Sequence, residues 1–216
     1  MSRDGLVWNV GQATIGTAVR MLAPLRVYGA DRVPEDGGVV LVFNHFSWLD
    51  PPAFGVASPR QLFFLAKSEL HEVPVMGPLV KAFGTYSVRR GESDREAVRE
   101  MRRCVHEGNA LGMFAEGTRQ RSGVPGDVKP GAAMVALNEQ VPVVCAAIHG
   151  SQHWQPGNFH PVSIAWGRPF TFEGMKANGK NYREASEEVQ RRIYELWRFL
   201  VDVHALGRPH HAVPPA

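Results

Sequence analysis

Short apolar runs alternate with amphipathic stretches along this chain of 216 residues. Most of the runs are rich in β-branched or aromatic residues and are bounded by turn-forming residues, a pattern typical of buried strands. The clearest is VVLVF, which follows the turn signal Gly37-Gly38 and stops at Asn44. The predicted strands cover residues 39–43, 61–66, 85–88, 110–115, 141–148 and 162–166.

Between the runs, apolar residues recur every three or four positions, which indicates helices with one buried face. The longest begins at Tyr182 and continues to about Ala205, where Gly207 and Pro209 end it. Other helices are predicted from Pro51, over 74–83, from the capping box of Ser93 and Glu96 to Gly108, and over 130–138. Because strands alternate with helices, the predicted fold is α/β, with a mostly parallel central sheet flanked by helices.

The two ends of the chain depart from this alternation. Residues 5–26 have weakly amphipathic helical character and include Trp8, a residue type that favours membrane interfaces. Polar residues interrupt this segment, so it is neither a signal peptide nor a membrane-spanning helix, and we expect it to lie in the plane of a membrane surface. The alternative is an N-terminal helix packed on the core. The predicted division is a helical docking segment (1–28), one folded domain (29–207) and a flexible tail (208–216).

Composition narrows the class of protein. Hydrophobic residues make up 44% and charged residues 21% of the chain, as in ordinary globular domains. Cys104 and Cys145 stand in apolar surroundings, which indicates buried thiols in a reducing compartment. The net charge is +3, and the surplus falls between Lys81 and Lys129. Such a bias suits a phosphate-bearing ligand or an anionic membrane surface, unless these arginines only form the solvated face of a helix.

Unusual polar residues follow the VVLVF strand in the stretch NHFSWLD. Open α/β sheets bind ligands at such strand ends. Asp50 before Pro51 is typical of a helix start, with Asp50 as the N-cap. If the loop turns back, Asp50 can hold one imidazole nitrogen of His45 and leave the other free, as in a general base with an orienting carboxylate. The alternative is an ordinary loop histidine and a carboxylate that only caps the helix.

Three further stretches carry candidate chemistry. GTYSVRR ends a strand with Arg89 and Arg90, whose planar guanidinium groups match phosphate oxygens. The alternative is a pair of surface arginines that contact only water. FAEGTR predicts a tight turn that presents several polar groups directly after a buried strand. Its residues are Glu116, Gly117, Thr118 and Arg119. The alternative is an ordinary turn with exposed polar residues. VPVV reads as a core strand with Pro142 near its start.

In this order, NHxxxxD, GxxxxxR, EGTR and a strand containing VP resemble the motifs of the 1-acylglycerol-3-phosphate acyltransferases and the wider glycerolipid acyltransferase superfamily. The resemblance spans residues 39–148. It implies transfer of a fatty acyl group from acyl-CoA or acyl-carrier protein to the free hydroxyl of lysophosphatidic acid. The chemistry agrees, because an imidazole with an ordinary pKa of about 6.5 can take the hydroxyl proton near neutral pH.

The resemblance also implies roles for individual residues. His45 is the general base and Asp50 its partner, and Arg90 matches the family's arginine. The acceptor's phosphate is assigned to Glu116, Gly117, Thr118 and Arg119 together with Arg90. Secondary candidates are Asn44, Ser47, Arg89, Lys129 and Pro142, the last matching the block linked with the acyl-donor region.

We expect no cofactor and no metal site, since His149, His153 and His160 lack a metal-binding pattern. The expected partners are the acyl donor, a lysophospholipid acceptor and a membrane surface, with no nucleic acid. We expect a cytoplasmic protein, peripheral on the inner face of the cell membrane. The alternatives are an acyltransferase for another lysolipid or a glycolipid, a lipid-binding protein without catalysis, and a thioesterase. A serine hydrolase is disfavoured because Ser47 lacks the G-x-S-x-G pattern.

Overall fold

A computed structural model describes residues 13–14, 16–17, 19–67, 85–88 and 94–215 of the chain. In this part of the chain one sheet contains β1 (Leu25–Tyr28), β2 (Val39–Phe43), β3 (Leu62–Lys67), β4 (Thr85–Val88), β5 (Ala110–Phe114), β6 (Val143–His149) and β7 (Val162–Trp166). The strand order is β1-β7-β6-β2-β5-β3-β4. The strands from β6 to β4 run parallel, whereas β7 is antiparallel to β6 and β1 runs parallel to β7. The predicted α/β class with a mostly parallel sheet is confirmed.

Four helices flank the described sheet: α1 (Asp50–Ala57), α2 (Asp94–His106), α3 (Gly131–Glu139) and α4 (Gly179–Ala205). α2, α3 and α4 pack side by side on one face. α1 covers the other face, where Phe54 stacks on Phe43 of β2 with ring centroids 4.0 Å apart. The side chain of Asn178 caps α4, so the helix begins earlier than its apolar pattern predicts. The predicted helix over 74–83 and the capping residue Ser93 lie outside the described residues.

β2 lies in the middle of the core and is completely buried, because it has strands on both sides and helices on both faces. Aromatic rings form a layer between β2 and α1: Phe43, Phe54, Phe64, Phe114 and Trp166. Gly112 allows this layer to form, since a Cβ there would lie 2.7 Å from the Phe64 ring. Cys104 and Cys145 are buried, as predicted, and burial raises the pKa of the Cys145 thiol to about 12.

The structure differs from the predicted division at the N-terminal side. Residues 25–28, assigned from the sequence to the docking segment, form β1, and Leu25 lies beside Val162 at the start of β7. Pro24 was the available signal, because proline cannot continue the helical residues 19–22 and therefore separates them from the strand. Residues 1–12 of the predicted docking segment lie outside the described residues.

The C-terminal residues also differ from the predicted flexible tail, because side-chain contacts hold residues 208–215 against the sheet. Arg208 donates hydrogen bonds to the hydroxyl of Ser163 (3.0 Å) and to the carbonyl of Pro24 (2.6 Å). Arg32 donates to the carbonyls of Pro214 (2.8 Å) and Pro215 (2.6 Å). These hydrogen bonds to backbone carbonyls order a segment that composition alone indicates should fray.

Candidate active site

Three loops meet where the parallel strands end. They comprise residues 44–49 after β2, 115–130 after β5 and 150–161 after β6. Because β2, β5 and β6 are neighbours and run in the same direction, their carboxyl ends lie together. We call this rim of the sheet, with its three loops, the carboxyl edge.

His45 and Asp50 form a hydrogen-bonded pair at the carboxyl edge, as the turn-back hypothesis requires. His45 Nδ1 lies 2.8 Å from Asp50 Oδ2, and the exposed fractions of the two side chains are 16% and 0%. The same carboxylate oxygen accepts hydrogen bonds from the backbone amides of Phe46 (2.6 Å) and Ser47 (2.8 Å). Three converging donors suit an ionised carboxylate, so the proton of the neutral imidazole belongs on Nδ1 and Nε2 keeps its lone pair.

The local sequence explains how Asp50 reaches the histidine. Asp50 is the first residue of α1, and Leu49 occupies the cap position without a side-chain hydrogen bond. The expectation that Asp50 serves as the N-cap is therefore wrong, since its carboxylate points back into the preceding loop. Ser47 tightens that loop: its carbonyl accepts from the Asp50 amide (3.2 Å) and its hydroxyl from the Leu49 amide (3.3 Å).

The residues around His45 fix the orientation of its ring and the position of its backbone. The imidazole stacks on the Phe114 ring, with centroids 4.0 Å apart and the planes at 25°. Asn44 is completely buried, and its amide group pairs with the backbone of Ile148 in both directions, at 3.0 and 2.8 Å. Asn44 thereby continues the β2–β6 pairing through its side chain and fixes the residue before His45.

Glu116 is also buried, with 3% of its surface exposed. One carboxylate oxygen accepts from the His45 amide (2.8 Å), and the other from the Gly126 amide (3.2 Å). The His45 carbonyl in turn accepts from the Gln120 amide (2.7 Å), so the loop after β5 binds both backbone groups of the histidine. Burial raises the pKa of Glu116 to about 7, although these amide hydrogen bonds act in the opposite direction.

The exposed part of the EGTR stretch follows directly. Gly117 has a φ of +67°, the left-handed conformation that a tight turn requires. Thr118 and Arg119 are exposed beyond it. Lys129 crosses over this turn, since a Cβ at Gly117 would lie 3.2 Å from Lys129 Nζ, and the Lys129 amide donates to the Ala115 carbonyl at 2.9 Å. Arg119 and Lys129 therefore present two cations from the loop that also holds His45.

The remaining candidates are placed differently. Ser47 is buried and serves the turn before α1. Pro142 stands before the first residue of β6, and its carbonyl accepts from the Val40 amide near the start of β2. Pro142 thus lies at the opposite rim of the sheet, and the structure does not bring it to His45. Arg89 and Arg90 lie outside the described residues.

The sequence did not reveal all of the contacts at the site. The stacking of Phe114 under His45 and the Gln120 contact join segments about seventy residues apart, and no spacing rule links them. The pairing of Asn44 with Ile148 could have been suspected, because a fully buried asparagine at a strand end needs partners for its amide group.

Known proteins resemble this chain in sequence. A family model described as Acyltransferase matches residues 24–149. The 1-acyl-sn-glycerol-3-phosphate acyltransferase of Bacillus subtilis is 31% identical over 127 residues, which cover 58% of this chain and 63% of that protein. The lyso-ornithine lipid O-acyltransferase of Pseudomonas aeruginosa is 38% identical over 78 residues, or 36% of this chain and 30% of the relative. The matched region thus spans less than two thirds of either relative.

A solved structure resembles the chain over more of its length. The crystal structure of the 1-acyl-sn-glycerophosphate acyltransferase PlsC from Thermotoga maritima superimposes with a TM-score of 0.71 at 25% identity. The superposition covers 89% of this chain and 80% of that one.

Proposed function

Because this chain belongs to the acyltransferase family, as its motifs predict, we propose that it transfers a fatty acyl group from a thioester to the free hydroxyl of lysophosphatidic acid, giving phosphatidic acid. The observation that carries the proposal is the His45–Asp50 pair at the carboxyl edge, in which Asp50 engages Nδ1 and no other described residue hydrogen-bonds to Nε2. A protein that only binds lipid needs no such pair of base and orienting carboxylate.

The proposed step moves one proton and exchanges one bond. The acceptor hydroxyl oxygen attacks the thioester carbonyl carbon as His45 Nε2 takes the hydroxyl proton. The new C–O bond forms, the C–S bond breaks, and the proton passes from the imidazolium to the leaving sulfur to give the free thiol. Asp50 stabilises the imidazolium through its contact with Nδ1. No acyl-enzyme is required, since the thioester is already activated.

The acceptor's phosphate is assigned to the exposed part of the EGTR turn. Arg119 and Lys129 supply cations, and the Thr118 hydroxyl adds a donor. Among the described residues, neither Arg119 nor Lys129 has a carboxylate within ion-pair distance, so both charges are available to an anion. Arg90, and Arg89 beside it, join this site in the proposal through the match to the family motif.

The donor is acyl-CoA or acyl-carrier protein, and the acceptor resides in a bilayer, so the proposal includes docking on the cytoplasmic face of the cell membrane. In the described part of the chain, no helix combines the length and apolar character that crossing a bilayer demands. Docking by residues 5–26 remains a prediction.

One comparison favours a second acceptor. The Pseudomonas relative, named for acylation of lyso-ornithine lipid, has the higher identity of the two relatives above, although over a shorter stretch. Lysophosphatidic acid and lyso-ornithine lipid should therefore be offered in parallel to the purified protein, with one long-chain acyl-CoA as donor.

The test is acyl transfer by the wild-type protein and by His45→Ala. We expect wild-type thiol release to depend on a lipid acceptor, and His45→Ala to lose nearly all transfer while keeping its circular dichroism spectrum. Thiol release without acceptor would indicate a thioesterase. Substantial transfer by folded His45→Ala would refute the general base.

A further inference from the structure

The large apolar side chains that are exposed in the described part of the chain are concentrated at one end of the molecule. Six of eight lie at the carboxyl edge: Met21, Leu22, Trp48, Val124, Phe159 and Leu206. Met21 and Leu22 belong there because β1 starts beside the first residue of β7. Leu206 follows the end of α4, where His204 contacts Ser163 near the start of β7. The other two are Tyr194, midway along α4, and Val213 in the C-terminal segment.

Trp48 connects this apolar surface to the catalytic loop. It lies between His45 and Asp50 in the chain, and 57% of its surface is exposed. Its ring meets Trp154 edge to face, with centroids 5.0 Å apart. Trp154 is buried, and its indole nitrogen donates a hydrogen bond to the Leu22 carbonyl at 2.9 Å. The exposed residues Trp48 and Leu22 are thus fixed to one buried tryptophan from the loop after β6.

The charges around this surface favour an anionic partner. The exposed charged residues in the loops of the carboxyl edge and in the helical residues 19–22 before β1 are Arg20, Arg119, Arg121, Lys129 and Asp127. Those in the turn between β1 and β2, at the opposite rim, are Asp31, Glu35 and Asp36. On α2, Arg102 and Arg103 pair with Glu139 and Glu100, so these two arginines add less attraction than the basic surplus between Lys81 and Lys129 suggests.

We propose that the carboxyl edge is the surface that docks on an anionic lipid bilayer, with Trp48 inserted at the interface beside His45. An exposed tryptophan, flanking apolar side chains and a cationic rim are the features that bind interfaces. The inference deepens the proposed function and rests on it, because only an enzyme with lipid substrates benefits from a catalytic loop that faces the bilayer. It assigns docking to exposed residues of the folded domain, above all Trp48, together with Met21 and Leu22 at the end of the predicted docking segment.

The test is binding to vesicles of phosphatidylglycerol or of phosphatidylcholine, without acyl donor or acceptor. We expect the wild-type protein to prefer phosphatidylglycerol at low salt. Trp48→Ala should bind roughly tenfold more weakly, as expected for the loss of one large buried apolar group. Met21→Ser removes a side chain that is 70% exposed, so it tests the same surface without risk to folding. Tyr194→Ala, which removes an exposed aromatic ring from α4, is the matched control and should bind like the wild type.

Fluorescence quenching by brominated lipid gives an independent readout, since Trp48→Phe should lose a large part of the wild-type quenching. Equal vesicle binding by Trp48→Ala, Met21→Ser and Tyr194→Ala would overturn the proposal. A change of oligomeric state in Trp48→Ala with unchanged vesicle binding would also overturn it and would assign the surface to a second copy of the chain. Because no substrate is present, docking through Trp48 stands or falls separately from acyl transfer.

Discussion

At the scale of single residues, the carboxylate of Asp50 organises the site. One of its oxygens accepts hydrogen bonds from the imidazole and from two backbone amides, so the same atom sets the tautomer of His45 and the shape of the loop. Its other oxygen is buried and has no hydrogen-bond partner among the described residues. An amide in place of the carboxylate therefore has no satisfactory orientation.

Asp50→Asn tests this arrangement. If the amide oxygen accepts the three hydrogen bonds, the NH2 group is buried without an acceptor; if the group flips, NH2 faces three donors. We expect kcat to fall roughly 10³- to 10⁴-fold, as for the loss of an orienting carboxylate in other histidine-based sites. Steady-state acyl transfer measures the effect, and Asp127→Asn, on the exposed part of the loop after β5, is the control. A loss below tenfold in a folded Asp50→Asn protein would contradict the role.

At the scale of elements, the loop after β5 performs two tasks. Its buried part, through Glu116 and Gln120, holds the backbone of His45, whereas its exposed part presents Thr118 and Arg119. One short motif thus joins the end of β5 to the end of β2 and also exposes the residues to which we assign the acceptor's phosphate. Glu116 belongs to the first task, because amide donors engage both of its oxygens.

Glu116→Gln and Arg119→Ala should therefore differ in kind. Glu116→Gln places an NH2 group against a backbone amide, a mismatch that costs about 1–3 kcal/mol and disturbs the position of His45. We expect kcat to fall ten- to a hundredfold with little change in the KM for lysophosphatidic acid. Arg119→Ala should raise that KM and leave the KM for the donor nearly unchanged. If Glu116→Gln raised the acceptor KM as much as Arg119→Ala does, a direct phosphate role for Glu116 would be favoured.

The same elements show how far sequence reasoning reaches. β2 and β7 were predicted with their observed bounds, because continuous apolar runs between turn residues leave little choice of structure. β1 was missed because four residues after a helix carry a weak pattern, and only pairing with β7 makes them a strand. The pairing of His45 with Asp50 could be anticipated from a six-residue loop, whereas the contacts of Glu116 and Phe114 depend on which strands become neighbours.

At the scale of the whole molecule, several histidines lie at the carboxyl edge together with the cations. His149 at the end of β6 and His204 in α4 lie with ring centroids 4.7 Å apart. Burial lowers the pKa of both to about 4; His153 and His160 add to the effect on His149, and His149, Arg208 and His160 to that on His204. None of these neighbours is a carboxylate. Protonation of either imidazole would thus introduce an unpaired charge into a cationic cluster.

The folded state should consequently lose stability in mild acid. Between about pH 6.5 and pH 4 the unfolded chain binds protons at both histidines while the folded chain does not, so the free energy of unfolding falls as the pH falls through this window. Glu116 acts in the opposite direction between about pH 4.5 and pH 7, because its raised pKa lets the folded state hold a proton that the unfolded state releases. The combined effect of the two histidines on the free energy of unfolding exceeds that of the one glutamate, so the melting temperature should fall on acidification. His204→Gln should flatten this dependence, since glutamine carries no titrating group. Equal slopes of melting temperature against pH in His204→Gln and the wild type would show that the acid response arises elsewhere.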